Sequence, residues 1–139
     1  MTGPLKTLTF VVCLAALAAC DSAEERAEAK YQSALVLLEA GDPDRAIVEL
    51  RNVFKLDGAH KEGRRKLADI FVEQGKVREG YGQYLRLVEQ YPEDLEGRVT
   101  LAGLAFEIRN WDELERHTAV AANLAPADDR VKILNVAVK

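Results

Sequence analysis

Four side chains in this sequence carry thiol or imidazole chemistry: Cys13, Cys20, His60 and His117. Such groups bind zinc or act as nucleophile and base only where several converge. Two cysteines within one apolar N-terminal run, and two histidines 57 residues apart, supply neither a zinc site nor a disulfide framework. His60 falls between two helical patterns and His117 within one, so each reads as a packing or solvated histidine. The chain has no glycine-rich phosphate loop and no Gly-x-Ser-x-Gly elbow. Its carboxylates fall at helix-surface spacing, where an acid pair cannot be told from a solvated face. The reading is therefore of no catalytic residue, no metal, no cofactor and no small-molecule substrate, which means no enzyme. Nineteen Lys and Arg against 23 Asp and Glu give a net charge of -4, which excludes a general nucleic-acid binder. What remains is binding to protein.

The elements that would position a binding surface repeat along the chain. Gly41 and Gly75 lie 34 residues apart, and Arg109 is the next step. Ala34, Ala68 and Ala102 keep that spacing, as do Leu37, Phe71 and Ala105, then Val53, Leu87 and Ala121, then Gly58, Pro92 and Pro126. Three ungapped units follow, Ala27–His60, Lys61–Asp94 and Leu95–Asp128, with residues 129–139 as a partial fourth unit or a capping helix. Within the first unit, Tyr31, Ala34, Leu35 and Leu38 recur at helical spacing. Gly41 then serves as a C-cap, Asp42 as an N-cap, and Pro43 opens a second helix carrying Ala46, Ile47, Leu50, Val53 and Phe54. A fixed period with two helices per unit predicts an all-α helical-hairpin solenoid.

The columns resemble tetratricopeptide repeats: a small residue at place 8 (Ala34, Ala68, Ala102), Gly near place 15 (Gly41, Gly75), a small residue at place 20 (Ala46, Gly80) and Pro at place 32 (Pro92, Pro126). The resemblance covers residues 27–128. Place 4, usually large and apolar in that family, is instead a basic ladder of Lys30, Arg64, Arg98 and Lys132. The ladder has two readings: stems covering the seam between units with charges reaching water, or a binding row for an acidic partner.

In the tetratricopeptide family the first helix of each unit lines a concave groove. The resemblance places Glu28, Tyr31, Leu35, Leu38 and Glu39 there, then Glu62, Arg65, Asp69, Val72 and Glu73, then Glu96, Val99, Gly103, Phe106 and Glu107. Seven of these are acidic and one is basic, which is either a solvated acidic face or a groove for a basic or mixed-charge peptide. The family's carboxylate clamp is not expected, because only Arg65 could serve and Asp69 stands where the clamp takes Asn.

The start of the chain reads as an address. Lys6 precedes an apolar run from Leu8 to Ala19, interrupted only by Thr9, which is the layout of a secretory signal peptide over residues 1–19. The run is short of the about twenty apolar residues that span a bilayer. It closes on Leu17-Ala18-Ala19-Cys20, which resembles the lipobox of bacterial lipoproteins. That resemblance implies cleavage between Ala19 and Cys20, lipid on Cys20, and a membrane anchor facing the periplasm. By similarity to enterobacterial lipoproteins, Asp21 favours the inner membrane, with the outer membrane as the alternative. Residues 20–26 then read as the lipidated cysteine and a polar tether, and the six tether residues Asp21 to Arg26 at about 3.3–3.6 Å per residue would reach roughly 20 Å.

Together these readings imply a membrane-anchored, periplasm-facing scaffold for protein–protein contacts in an envelope assembly, secretion, or exopolysaccharide and protein-sorting system. The segment Ala46–Val53 is most similar to the last of these groups. Two alternatives stay open: a spacer or self-associating lipoprotein joined through the partial fourth unit, where Val131, Leu134, Val136 and Val138 await cover, and a regulator of a partner envelope hydrolase.

Overall fold

The computed structural model describes residues 22–139, which form seven helices and no strand. In chain order they are α1 (Ala23–Glu39), α2 (Pro43–Leu56), α3 (Lys61–Glu73), α4 (Val77–Gln90), α5 (Leu95–Glu107), α6 (Trp111–Leu124) and α7 (Asp129–Ala137). Consecutive helices pair as hairpins, α1 with α2, α3 with α4 and α5 with α6, and α7 packs on α6 and α5. Cys13, Ala19, Cys20 and Asp21 lie outside the described residues.

Every helix but α4 starts where a side chain can take a free N–H group of its first turn. His60, Asp94 and Asp128 cap the first helices of successive units, and Asp42 and Asn110 cap second helices. Lys76, in register with Asp42 and Asn110, gives no side-chain cap. At the start of α1, Ser22 and Glu25 form a reciprocal capping box. That box corrects the expected tether: residues 23–26 are the first turn of α1, because the Ser22 hydroxyl and the Glu25 carboxylate satisfy that turn's orphan donors.

The hairpin turns share one geometry. Gly41 and Gly75 have φ of 75° and 73°, and Arg109 takes the same left-handed conformation at 56°. An L side chain there sets Cβ against the following carbonyl, which glycine avoids.

Packing runs through the units as three linked clusters. Ala34, Leu50, Leu67 and Ile70 bring α1, α2 and α3 together. Ala68, Leu87, Val88 and Leu101 join α3, α4 and α5. Ala102, Ala105 and Leu114 continue into α7 through Leu134 and Val138. Val131 is fully buried, whereas Ile133 and Val136 face outward. Within the middle unit the helices approach so closely that a Cβ on Gly80 would sit 2.6 Å from Val72 Cγ2 and 3.1 Å from the Ala68 carbonyl oxygen.

The basic ladder does not form one row, and its guanidiniums do not reach for water. Arg64 is 6% exposed. It donates to the Gly58 carbonyl at 2.7 Å, to Gln83 at 3.2 Å and to Gln90 at 3.2 Å. Arg98 donates to the carbonyls of Val88 and Pro92 at 3.3 Å each. Carbonyls left over at helix ends and in the loops between units need donors, and a long planar fork supplies several at once. The two lysines instead hold carboxylates, Lys30 with Glu49 at 3.1 Å and Lys132 with Asp129 at 2.7 Å.

Replacing Arg109 by Gly relieves the left-handed residue at an exposed turn. The expected outcome of Arg109→Gly is a gain of about 0.5–1 kcal/mol in a urea melt followed by circular dichroism, the strain relief exceeding the added entropy of the unfolded chain. A loss of stability would contradict this account of the turn.

Candidate functional site

The first helices α1, α3 and α5 stand side by side and are laced together near their N-terminal ends. His60 accepts from Gly63 N–H through Nδ1, and its Nε2 lies 3.2 Å from Glu28 of α1. Its ring also rests against Tyr31, with centroids 5.0 Å apart. One unit later, Asp94 caps Gly97 N–H at 2.7 Å and reaches back to α3, 2.6 Å from Arg65 and 2.9 Å from Lys61. Burial pushes the Asp94 carboxyl up, but the hydrogen bonds from Arg65 and Lys61 outweigh it and hold the group below its ordinary range. A further unit on, Glu96 of α5 meets Arg130 of α7 at 2.6 Å. Residues just before or within the first turn of each first helix therefore tie it to its neighbour.

This lacing sorts the candidate groove residues. Glu28 is held by Gln32 and His60, and Glu96 by Arg130. Asp69 accepts the Tyr84 hydroxyl proton in a short hydrogen bond. Arg65 is engaged by Asp94 through Nη2, while its buried Nη1 has no partner among the described residues. Glu39, Glu62, Glu73 and Glu107 are exposed and have no ion-pair or hydrogen-bond partner among the described residues. Tyr31, Leu35, Leu38, Val72 and Val99 are half-buried. Phe106, 48% exposed, packs edge-on against Trp111 with ring centroids 5.9 Å apart.

A small open cavity of about 230 Å³ lies between α3, α4 and α5, lined by Asp69, Val72, Glu73, Tyr84 and Thr100. Tyr84 and Thr100 were not among the groove residues expected from the sequence, because one comes from a second helix and the other lies at place 6. The N-cap series His60, Asp94 and Asp128 was also missed as a set, although its 34-residue spacing and its cap-forming residue types were there to be read.

The other histidine belongs to a buried polar cluster. His117 is 1% exposed on α6. Its Nδ1 lies 3.4 Å from Arg98 of α5, and its Nε2 is 3.3 Å from Glu113 of the same helix and 3.5 Å from the hydroxyl of Tyr81 on α4. Burial, helped by the charges of Arg116 and Arg98, lowers its pKa to about 4 against the pull of Glu113. The neutral ring then accepts from Arg98 and donates toward Glu113. The cluster ties three helices together, α4 through Tyr81, α5 through Arg98 and α6 through Glu113 and His117. Among the described residues no group of three His, Cys, Asp or Glu is placed to hold a metal ion, and no helix is long and apolar enough to cross a membrane.

Comparison with known proteins identifies this architecture. The tetratricopeptide repeat family model matches residues 37–96. No curated protein matches the sequence. Among solved structures, the TPR domain of OM64 from Arabidopsis superposes with a TM-score of 0.70 at 13% identity, covering 84% of this chain and 97% of that one. YrrB, described as a TPR protein with an unusual peptide-binding site, superposes with a TM-score of 0.66 at 16% identity. That match covers 79% of this chain but only 57% of YrrB. At these identities the likeness is one of fold, and the fold is an all-α tetratricopeptide-repeat solenoid.

The His117 cluster gives the fold a pH dependence of definite sign. The folded pKa lies near 4, below the ordinary value of 6.5, so the unfolded chain takes up the proton first. Stability from this group is complete above about pH 6.5 and is lost as the pH falls toward 4. The full shift corresponds to roughly 3 kcal/mol, from about 1.4 kcal/mol per pH unit. Urea melts of the parent and of His117→Gln across this range should diverge in slope, with the variant flatter. Parallel curves would mean that His117 is protonated at no extra cost in the folded protein.

Proposed function

We propose that this protein is a protein-interaction scaffold whose first-helix face takes a basic or mixed-charge peptide segment. The reading is carried by one observation. Glu39, Glu73 and Glu107 recur at the same place of three successive first helices, all exposed and all without a partner among the described residues, beside part-exposed Leu35, Leu38 and Val72 and exposed Phe106. Carboxylates held apart from cations keep their field outward and speed the encounter with Lys and Arg side chains. The apolar residues beside them offer burial to an anchor side chain. The peptide-binding site in the description of YrrB supports the class of ligand.

The scaffold would work at a bacterial envelope, in an assembly, secretion or exopolysaccharide and protein-sorting system, tethered by lipid on Cys20 after cleavage behind Ala19. Support comes from the Lys6 charge, the apolar run and Leu17-Ala18-Ala19-Cys20. Asp21 favours retention at the inner membrane. With the first turn of α1 already formed at Ala23, the folded part would stand within a few residues of the bilayer surface. A second reading, self-association, is favoured by Ile133 and Val136 of α7, exposed at 69% and 74%.

Crosslinking in intact cells followed by affinity capture tests both. The triple change of Glu39, Glu73 and Glu107 to Lys should lower recovery of a discrete partner by at least about tenfold, since like charges across an interface repel by more than about 1.4 kcal/mol. Unchanged recovery would remove the groove assignment, and crosslinks only between copies of this chain would favour self-association. Cys20→Ala should move the protein from the membrane fraction to the soluble fraction; persistence at the membrane would rule out the lipid anchor.

A further inference from the structure

We infer that the opposite side of the solenoid carries a second docking site, an arginine-walled groove between α2 and α4 that takes an acidic segment of a partner protein with an apolar side chain at its centre.

The groove is open and encloses about 500 Å³. Arg78, Gly82 and Arg86 follow one another at intervals of four along α4, so they form a single stripe, and Arg51 and Phe54 face them from α2. Phe71 and Leu67 of α3, both buried, form the floor. Apart from its chain neighbours and the adjoining backbone of α4, nothing lies within 4 Å of where a Cβ on Gly82 would stand, so α4 leaves the floor uncovered at the middle of its stripe. The lining is thus apolar at the bottom and cationic at the rim, which is the layout of a site that seats one hydrophobic anchor within a ring of charge contacts.

The charge of this groove is not neutralised by the protein. Arg51, Arg78 and Arg86 are exposed and make no ion pair or hydrogen bond among the described residues, whereas Arg65, Arg116 and Arg130 each hold a carboxylate. Arg64 forms the inner wall, its guanidinium 4.4 Å from the centre of the Phe54 ring. All its bonds go to neutral groups, the Gly58 carbonyl and the Gln83 and Gln90 amides, so it too keeps its full charge. The single carboxylate on the lining is Glu79. Four guanidiniums against one carboxylate, in a chain of net charge -4, concentrate positive potential in one recess. Guanidinium forks bind carboxylates in pairs of hydrogen bonds, and they do so best where water is partly excluded. The complement is a run of Asp and Glu carrying one Phe or Leu. A bilayer surface fits less well, since the apolar floor is recessed between two helices and admits a side chain rather than a plane of headgroups.

The test uses the full chain and a fluorescein-labelled peptide of Asp and Glu around one central Phe, followed by fluorescence anisotropy. Binding is expected to weaken as salt rises. The combined change Arg51→Glu, Arg78→Glu and Arg86→Glu should weaken it by at least about tenfold, with circular dichroism unchanged because the three side chains have no internal partner. Gly82→Leu, which fills the recess without altering charge, should weaken it comparably. Replacing Glu39, Glu73 and Glu107 by Gln should leave it intact, which separates this site from the first-helix face. The proposal is overturned if the acidic peptide does not bind, or if Gly82→Leu binds it as well as the parent does. It is equally overturned if vesicles of anionic phospholipid bind through the same arginines while the peptide does not.

Discussion

The close crossing of two helices within each hairpin is the constraint on which the rest of the structure depends. Ala34, Ala68 and Ala102 are fully buried at the same place of successive units. A larger side chain there would push the paired helices apart, and in the middle unit the space is so limited that only Gly fits at position 80. With the pair set at short range, its outer surfaces are left to bury Leu50, Leu87 and Leu101 against the next unit. The core is therefore not a centre but a strip, extended one unit at a time, and each unit's stability includes its neighbour's face. The two faces of the molecule follow from this arrangement, one made by the first helices and the other by the second.

Charge is distributed on those faces according to whether it has internal work to do. Carboxylates at the ends of the first helices are consumed as caps and ties: Asp94 joins α5 to Lys61 and Arg65, and Glu96 joins α5 to Arg130. Those further along, at Glu39, Glu73 and Glu107, reach no cation among the described residues. Arginines divide in the same way, with Arg64 and Arg98 spent on loop carbonyls and Arg51, Arg78 and Arg86 left free. A chain of modest net charge thus presents an acidic face and a basic recess at once.

The third hairpin departs most from the regular pattern and relies most on polar groups. It has Leu114 where the earlier units have Ala46 and Gly80, and Arg109 where they have Gly41 and Gly75. His117, Glu113, Arg98 and Tyr81 bind it back onto α4. A buried imidazole kept neutral by its surroundings is stable only while the solvent does not protonate it, so this hairpin loses stability as the pH falls from about 6.5 toward 4.

Much of the architecture was readable in the sequence, because helix periodicity, caps and the 34-residue columns are local properties that recur three times over. The all-α solenoid, the Pro43 start of α2 and the Gly41 and Gly75 turns are of this kind. Places in a repeat map onto faces of a helix, so the sequence also named the side chains expected on the first-helix face. It did not determine which of those charges would be free. Glu28 and Glu39 are the same kind of residue on one helix, yet His60, which opens the next hairpin, takes the first, and no described residue takes the second. Nor could the ladder at place 4 be read from spacing alone, because whether a guanidinium reaches water or a carbonyl depends on where the neighbouring loop lies. The groove of Arg51, Arg78 and Arg86 was invisible for the same reason. Its walls come from two helices whose separation is set by packing, and an electrostatic site is decided by distances across the fold rather than along the chain.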